Sequence, residues 1–175
     1  MKTHWLAALA LGIAGSAVAQ EDTFSFMPGG GRTILESLLS TDPALAAQLS
    51  EKRSAADWLA AIRKGNLPGA KSLDEWQEQT LADYLAYAVP LDPAALPLDG
   101  RDMTLARCQS CHIVTVVVTQ ARAKAAWLGT LGKPSHVGVP LTPAERDQLA
   151  DYLTVNAGIP IDAIPPELRA GGASY

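Results

Sequence analysis

Apolar residues recur along most of the chain at the three- and four-residue steps of an α-helix. Leu149, Tyr152 and Leu153 fall at i, i+3 and i+4 and share one helix face. Local start and stop signals divide this pattern into elements. Asp42-Pro43 reads as an N-cap and first-turn pair opening an Ala/Leu helix to about Leu49. Ser54 caps a helix over Ala55 to Lys64, with Gly65 as its stop. Ser72-Leu73-Asp74-Glu75 reads as a capping box that opens a helix to about Ala88, with Pro90 beyond it. Asp102 to Gln109 and Ala121 to Leu131 are further helical stretches, the second ended by Gly132. Thr142-Pro143-Ala144-Glu145 is a second capping box, and Gly158 and Pro160 end its helix. Val114 and Val116 to Val118 are β-branched, but no partner strand is evident, so they read as a buried turn or short extended piece. Leu91 to Gly100 and Pro160 to Tyr175 are rich in Pro and Gly and read as a linker and a tail. The expectation is an all-α fold.

The pattern also repeats. A shift of 69 residues aligns Pro28 with Pro97, Gly31 with Gly100, Arg32 with Arg101 and Arg53 with Arg122. The same shift aligns Trp58-Leu59 with Trp127-Leu128, Lys64 with Lys133 and Gly69 with Gly138. After one deletion, Leu81-Ala82-Asp83-Tyr84-Leu85 matches Leu149-Ala150-Asp151-Tyr152-Leu153 residue for residue. Two related helical units are therefore expected, residues 24–91 and 92–162, followed by a tail over 163–175.

The first residues stand apart from both units. Lys2 precedes an apolar run from Trp5 to Gly15, and Ala17-Val18-Ala19 follows. A charged start, a short apolar core and an A-x-A site form the pattern of a cleaved secretory signal peptide over residues 1–19. The run is well short of the ~20 residues that span a bilayer. Export implies a periplasmic, oxidising compartment. The net charge of −4 over 175 residues becomes −5 once Lys2 is lost with the leader. Without a basic excess, nucleic-acid binding is set aside.

The chemistry lies in one unit. Cys108-Gln109-Ser110-Cys111-His112 is the c-type haem attachment pattern, and it uses the chain's only two cysteines. Two closely spaced thiols form thioethers to the haem vinyl groups, and the adjacent His becomes the proximal iron ligand. A thioredoxin-like pair calls for a βαβ context, and a zinc site for two further ligands. The first unit carries Leu39-Ser40-Thr41-Asp42-Pro43 at the equivalent place.

With this motif, a helix leading into it, a Trp-bearing helix after it and a closing Asp-Tyr-Leu helix, residues 98–157 resemble the mono-haem class I cytochromes c. The resemblance implies an all-α fold with first and last helices crossed and one covalently attached haem c. The first unit looks like the same fold with its haem site lost. The whole chain is similar to the small cytochrome c subunits of periplasmic oxidoreductases, including those paired with molybdenum-containing sulfite dehydrogenases. The family's distal ligand is usually a Met in the loop before the last helix. That loop here, Gly132 to Pro140, has no Met but contains His136.

His136 is therefore the expected sixth ligand, with Met27, Met103 or a vacant position as alternatives. Trp127 and Arg122 are candidate donors to the haem propionates. The family's Pro soon after the proximal His is missing, since none occurs before Pro134. The resemblance implies single-electron transfer, as the electron-accepting subunit or partner of a periplasmic dehydrogenase or other redox protein. A haem enzyme or small-ligand sensor with an open or labile sixth position is the alternative.

Overall fold

The computed structural model describes residues 23–169 apart from Pro93 and Ser110. The expected leader and residues 170–175 of the tail lie outside the described residues. Among the described residues every regular element is helical. In chain order these are α1 (Gly31–Thr41), α2 (Leu45–Gln48), α3 (Ala55–Arg63) and α4 (Glu75–Ala88). Next come α5 (Gly100–Met103), which runs on as a π-helix over Thr104–Cys108, then α6 (Thr115–Val118), α7 (Lys124–Leu131) and α8 (Pro143–Asn156). No helix among the described residues is long and apolar enough to cross a membrane.

Several expectations hold to the residue. Ser54 Oγ accepts the Asp57 N–H at the start of α3, and Gly65 leaves that helix at φ 76°. The Thr142–Glu145 box closes in both directions at α8. Others shift. The box that starts α4 is Asp74 with Gln77, two residues later than expected. That change brings the two boxes into the same 68-residue register as the Leu-Ala-Asp-Tyr-Leu match. Of the two readings of the valine run, the buried turn holds, and it is one turn of helix. Val114 and Val118, an i, i+4 pair, are both buried, and Val118 N–H donates to the Val114 carbonyl at 3.0 Å. Burial of that face outweighs the modest helix penalty of β-branching.

The helix over Gly31–Thr41 has no local announcement. Gly30 precedes it and offers no side-chain cap. The cap comes from Asp99, 67 residues away in the chain. Its Oδ2 accepts the Arg32 N–H at 2.8 Å, while Oδ1 accepts the Asp102 N–H at 2.9 Å. One carboxylate thus caps both α1 and α5. Gly30 must lack a side chain for this, because a Cβ there would lie 1.9 Å from Asp99 Oδ2. Arg32 Nε then reaches Asp102 Oδ2 at 2.8 Å.

The buried residues form two clusters. The first holds Leu35, Leu45, Leu49, Trp58, Leu81 and Leu85 among others. The second holds Met103, Val114, Val118, Trp127, Leu149 and Leu153, and also takes in Phe24 and Met27 from before α1. Residues at the front of the first unit thus complete the core of the second. Leu168, from the expected tail, packs against the same cluster. The two clusters meet where α4 and α8 pack together. Asn156 Nδ2 donates to Thr80 Oγ1 at 2.9 Å across this seam. The two tyrosines are exchanged: Tyr84 hydroxyl donates to the Pro97 carbonyl and Tyr152 hydroxyl to the Pro28 carbonyl, both at 2.8 Å.

Loss of one N-cap typically costs about 1 kcal/mol. Asp99→Ala removes two, so it is expected to destabilise the chain by about 2 kcal/mol, lowering Tm by roughly 4–8 °C at this chain length. Thermal unfolding followed by circular dichroism checks this. An unchanged Tm would show that the shared cap is dispensable.

Candidate functional site

The Cys-x-x-Cys-His turn is delivered by a helix that widens before it ends. Thr104 is fully buried, and its hydroxyl donates to the Gly100 carbonyl at 2.6 Å. Such back-bonding competes with the regular backbone ladder, and the following residues, Thr104–Cys108, take the π form that recurs at functional sites. The Cys108 carbonyl then accepts the N–H groups of Cys111 at 3.2 Å and His112 at 2.9 Å. These bonds wind the motif into a single turn. Cys108 is half-buried, while Cys111 and His112 are exposed. Neither thiol is in a disulfide. Burial first, and the neighbouring Cys111 second, push the Cys108 thiol up to about 11, so it stays protonated at neutral pH.

His136 comes to the same place from the loop between α7 and α8. Its ring centre lies 6.1 Å from that of His112, with the ring planes 32° apart. Two imidazoles facing one metal from opposite sides at ~2 Å each, with about 1 Å more from nitrogen to ring centre, would have centres roughly 6 Å apart. Ser135 Oγ stands 3.0 Å from His136 Nδ1. With Nδ1–H donating to that hydroxyl, Nε2 carries the lone pair a metal ligand needs. The competing sulfur ligands are both buried. Met103 is 0% exposed and Met27 4%, and both pack in the second cluster as gap-fillers do.

Gln109, Cys111 and His112 line an open cleft of about 370 Å³ whose apolar walls are Phe24, Ile113, Val114 and Leu168. Sequence reasoning did not find Phe24 or Leu168. Each lies outside the helical periodicity, Phe24 in Phe24-Ser25-Phe26-Met27 and Leu168 after Pro165-Pro166, with no pattern to mark it. Ile113 and Val137, each directly after one of the two histidines, are exposed at 52% and 61%, so the histidine pair has an apolar surround.

Trp127 is buried at 4% exposure, and its indole N–H has no hydrogen-bond partner. The Arg122 guanidinium lies over its ring at 5.2 Å and donates to Thr130 Oγ1 at 3.1 Å and to the Gln120 amide oxygen. The first unit repeats this arrangement: Arg53 lies over Trp58 at 4.7 Å, and the Trp58 N–H is also buried without a partner. A buried orphan donor is costly, and a haem carboxylate would satisfy Trp127. No Cys or His accompanies Trp58, so the orphan donor belongs to the repeated Trp–Arg pair as well as to the candidate site.

The repeat register adds a further contrast. His112 corresponds to Pro43, and His136 to Leu67, which is 3% exposed in the first cluster. Both imidazole positions are thus occupied by non-ligating residues in the first unit. Compared with protein families, curated proteins and solved structures, the chain matches none.

The two tryptophans give a paired prediction. If a haem propionate partners Trp127, Trp127→Phe in the holoprotein loses a charge-assisted bond worth about 1.5–3 kcal/mol, whereas Trp58→Phe loses no hydrogen bond. Thermal unfolding of both variants is expected to show the larger loss for Trp127→Phe. Equal effects would remove Trp127 from the haem site.

Proposed function

We propose that this chain is a mono-haem c-type cytochrome that passes single electrons, with haem attached at Cys108 and Cys111 and iron ligated by His112 and His136. The observation that carries the reading is the 6.1 Å spacing of the two imidazoles, one of them the last residue of a Cys-x-x-Cys-His turn. Haem supplies a reversible one-electron change at iron. The protein supplies the rest. His112, from the Cys-x-x-Cys-His turn, and His136, from the loop before α8, would hold the haem iron. Ser135 Oγ, 3.0 Å from His136 Nδ1, would leave Nε2 free to ligate when it accepts Nδ1–H. Phe24, Ile113, Val114 and Leu168 give the cleft beside His112 apolar walls. Paired imidazoles set a lower potential than a His/Met pair.

The chain acts in the periplasm after removal of residues 1–19, as the electron-accepting subunit or partner of a dehydrogenase or other redox protein. Residues 24–91 serve as a haemless relative of the haem-binding unit over 92–162. Two features support this: the matched Trp–Arg pairs, and the replacement of both histidines by Pro43 and Leu67. A scaffold kept without its cofactor offers a surface for a partner. The negative charge favours a basic patch on that partner.

His136 stands on a loop whose other side chains are mostly exposed. This gives the second reading, a displaceable ligand and chemistry or sensing at iron. Optical spectra of the purified holoprotein, oxidised and reduced, with and without carbon monoxide, separate the two. The expected result is a low-spin spectrum that carbon monoxide leaves unchanged, with no far-red Met–iron band. His136→Ala is expected to open the iron to carbon monoxide. A wild-type spectrum that shifts with carbon monoxide would overturn the electron-transfer reading and favour small-molecule chemistry.

A further inference from the structure

We infer that Arg146 is the positioning residue for the sixth iron ligand: its guanidinium gathers the loop that carries His136 and fixes it to α8. This rests on the haem reading above and extends it to a residue outside the motif.

The loop has little else to hold it. Lys133, Pro134, Ser135, Val137, Gly138 and Pro140 are all exposed, so apolar burial contributes almost nothing to its order. Its own backbone bonds are local turns: His136 N–H and Val137 N–H both donate to the Lys133 carbonyl at 2.8 Å, and Val139 N–H donates to the His136 carbonyl at 3.0 Å. They shape the loop without tying it to the body of the protein.

Arg146 provides that tie. Its Nη1 donates to the Leu131 carbonyl at 2.8 Å and to the His136 carbonyl at 3.5 Å. Its Nη2 donates to the Val137 carbonyl at 2.9 Å and the Val139 carbonyl at 2.8 Å. One planar group thus spans the end of α7, the carbonyl of His136 and two residues after it. A guanidinium suits this because its donors diverge in a fixed fork, and each bond is charge-assisted. A Lys ammonium has no such fork.

The root of Arg146 is rigid. It stands one residue beyond the Thr142–Glu145 capping box, on a helix whose Leu149 and Leu153 are buried at 0% and 2% exposure. In the 68-residue register its counterpart is Glu78, which instead pairs with Arg63 at 3.0 Å. The clamp is therefore present only beside the unit that has histidines. A binding side chain has to be held within about 0.5 Å of its productive position. The clamp acts on the carbonyl of His136 itself.

The test uses the purified full chain with Arg146→Ala, Arg146→Lys and His136→Ala, read by hydrogen exchange and by carbon monoxide affinity of the reduced protein. Arg146→Ala is expected to speed amide exchange over residues 133–139 while leaving the middle of α8 protected. It is expected to raise carbon monoxide affinity at least tenfold, about 1.4 kcal/mol, with Arg146→Lys giving a partial version of both effects. Unchanged exchange and affinity in Arg146→Ala, alongside an effective His136→Ala, would overturn the role of Arg146 alone. Faster exchange with unchanged affinity would show that the clamp orders the loop without controlling the iron, which also overturns the proposal. If His136→Ala itself leaves the affinity unchanged, the sixth-ligand reading fails, and the positioning role fails with it.

Discussion

The shared cap at Asp99 is the constraint on which the rest of the structure depends. Its two carboxylate oxygens receive backbone N–H groups from the first turns of α1 and α5, so both helices start from one point. Glycine makes this crowding possible. A Cβ at Gly31 would stand 2.2 Å from Tyr84 Cβ, and one at Gly100 would stand 2.0 Å from Tyr152 Cβ. Each helix therefore lies directly on the tyrosine of its own unit's last long helix. Each tyrosine hydroxyl then bonds to the other unit. The direction of α5 is settled by these contacts before the chain reaches Cys108. The first unit is thus part of what aims the motif.

At the crossing of α4 and α8, the equivalent residues Asp83 and Asp151 lie close enough to interact. Burial first, and the charge of Asp151 second, push Asp83 up to about 6. Lys124 offsets the crowding of carboxylates with contacts of 2.7 Å to Asp151 and 3.0 Å to Asp147. The seam is held by specific polar contacts as well as by apolar burial. That combination fixes one relative placement of the two units more sharply than an apolar seam alone.

How much was legible follows from the range of each interaction. The caps at Ser54 and Thr142 lie within three residues of the groups they serve, and their helices could be read directly. The cap of α1 comes from a distant carboxylate, so a helix opening at Gly30-Gly31 carries no readable start. The valines left two readings open, and the burial of Val114 and Val118 outweighs their β propensity. Cys108, Cys111 and His112 were nominated by their fixed local spacing. His136 was nominated through the resemblance, because it stands in the loop where the family usually has a Met. Arg146, Phe24 and Leu168 were not. A guanidinium that binds backbone carbonyls places no demand on which residue types it meets. Apolar residues outside the helical periodicity show their partners only after folding.

The sequence repeat carries its Cys-x-x-Cys-His motif in the second unit alone. The proposed function stands or falls on haem attachment at Cys108 and Cys111. The most direct measurement is the intact mass of the chain produced with haem-attachment machinery and exported, read together with thiol alkylation. The account predicts the polypeptide mass plus one haem, with neither cysteine open to alkylation. Two alkylated cysteines on a chain of polypeptide mass alone would contradict it.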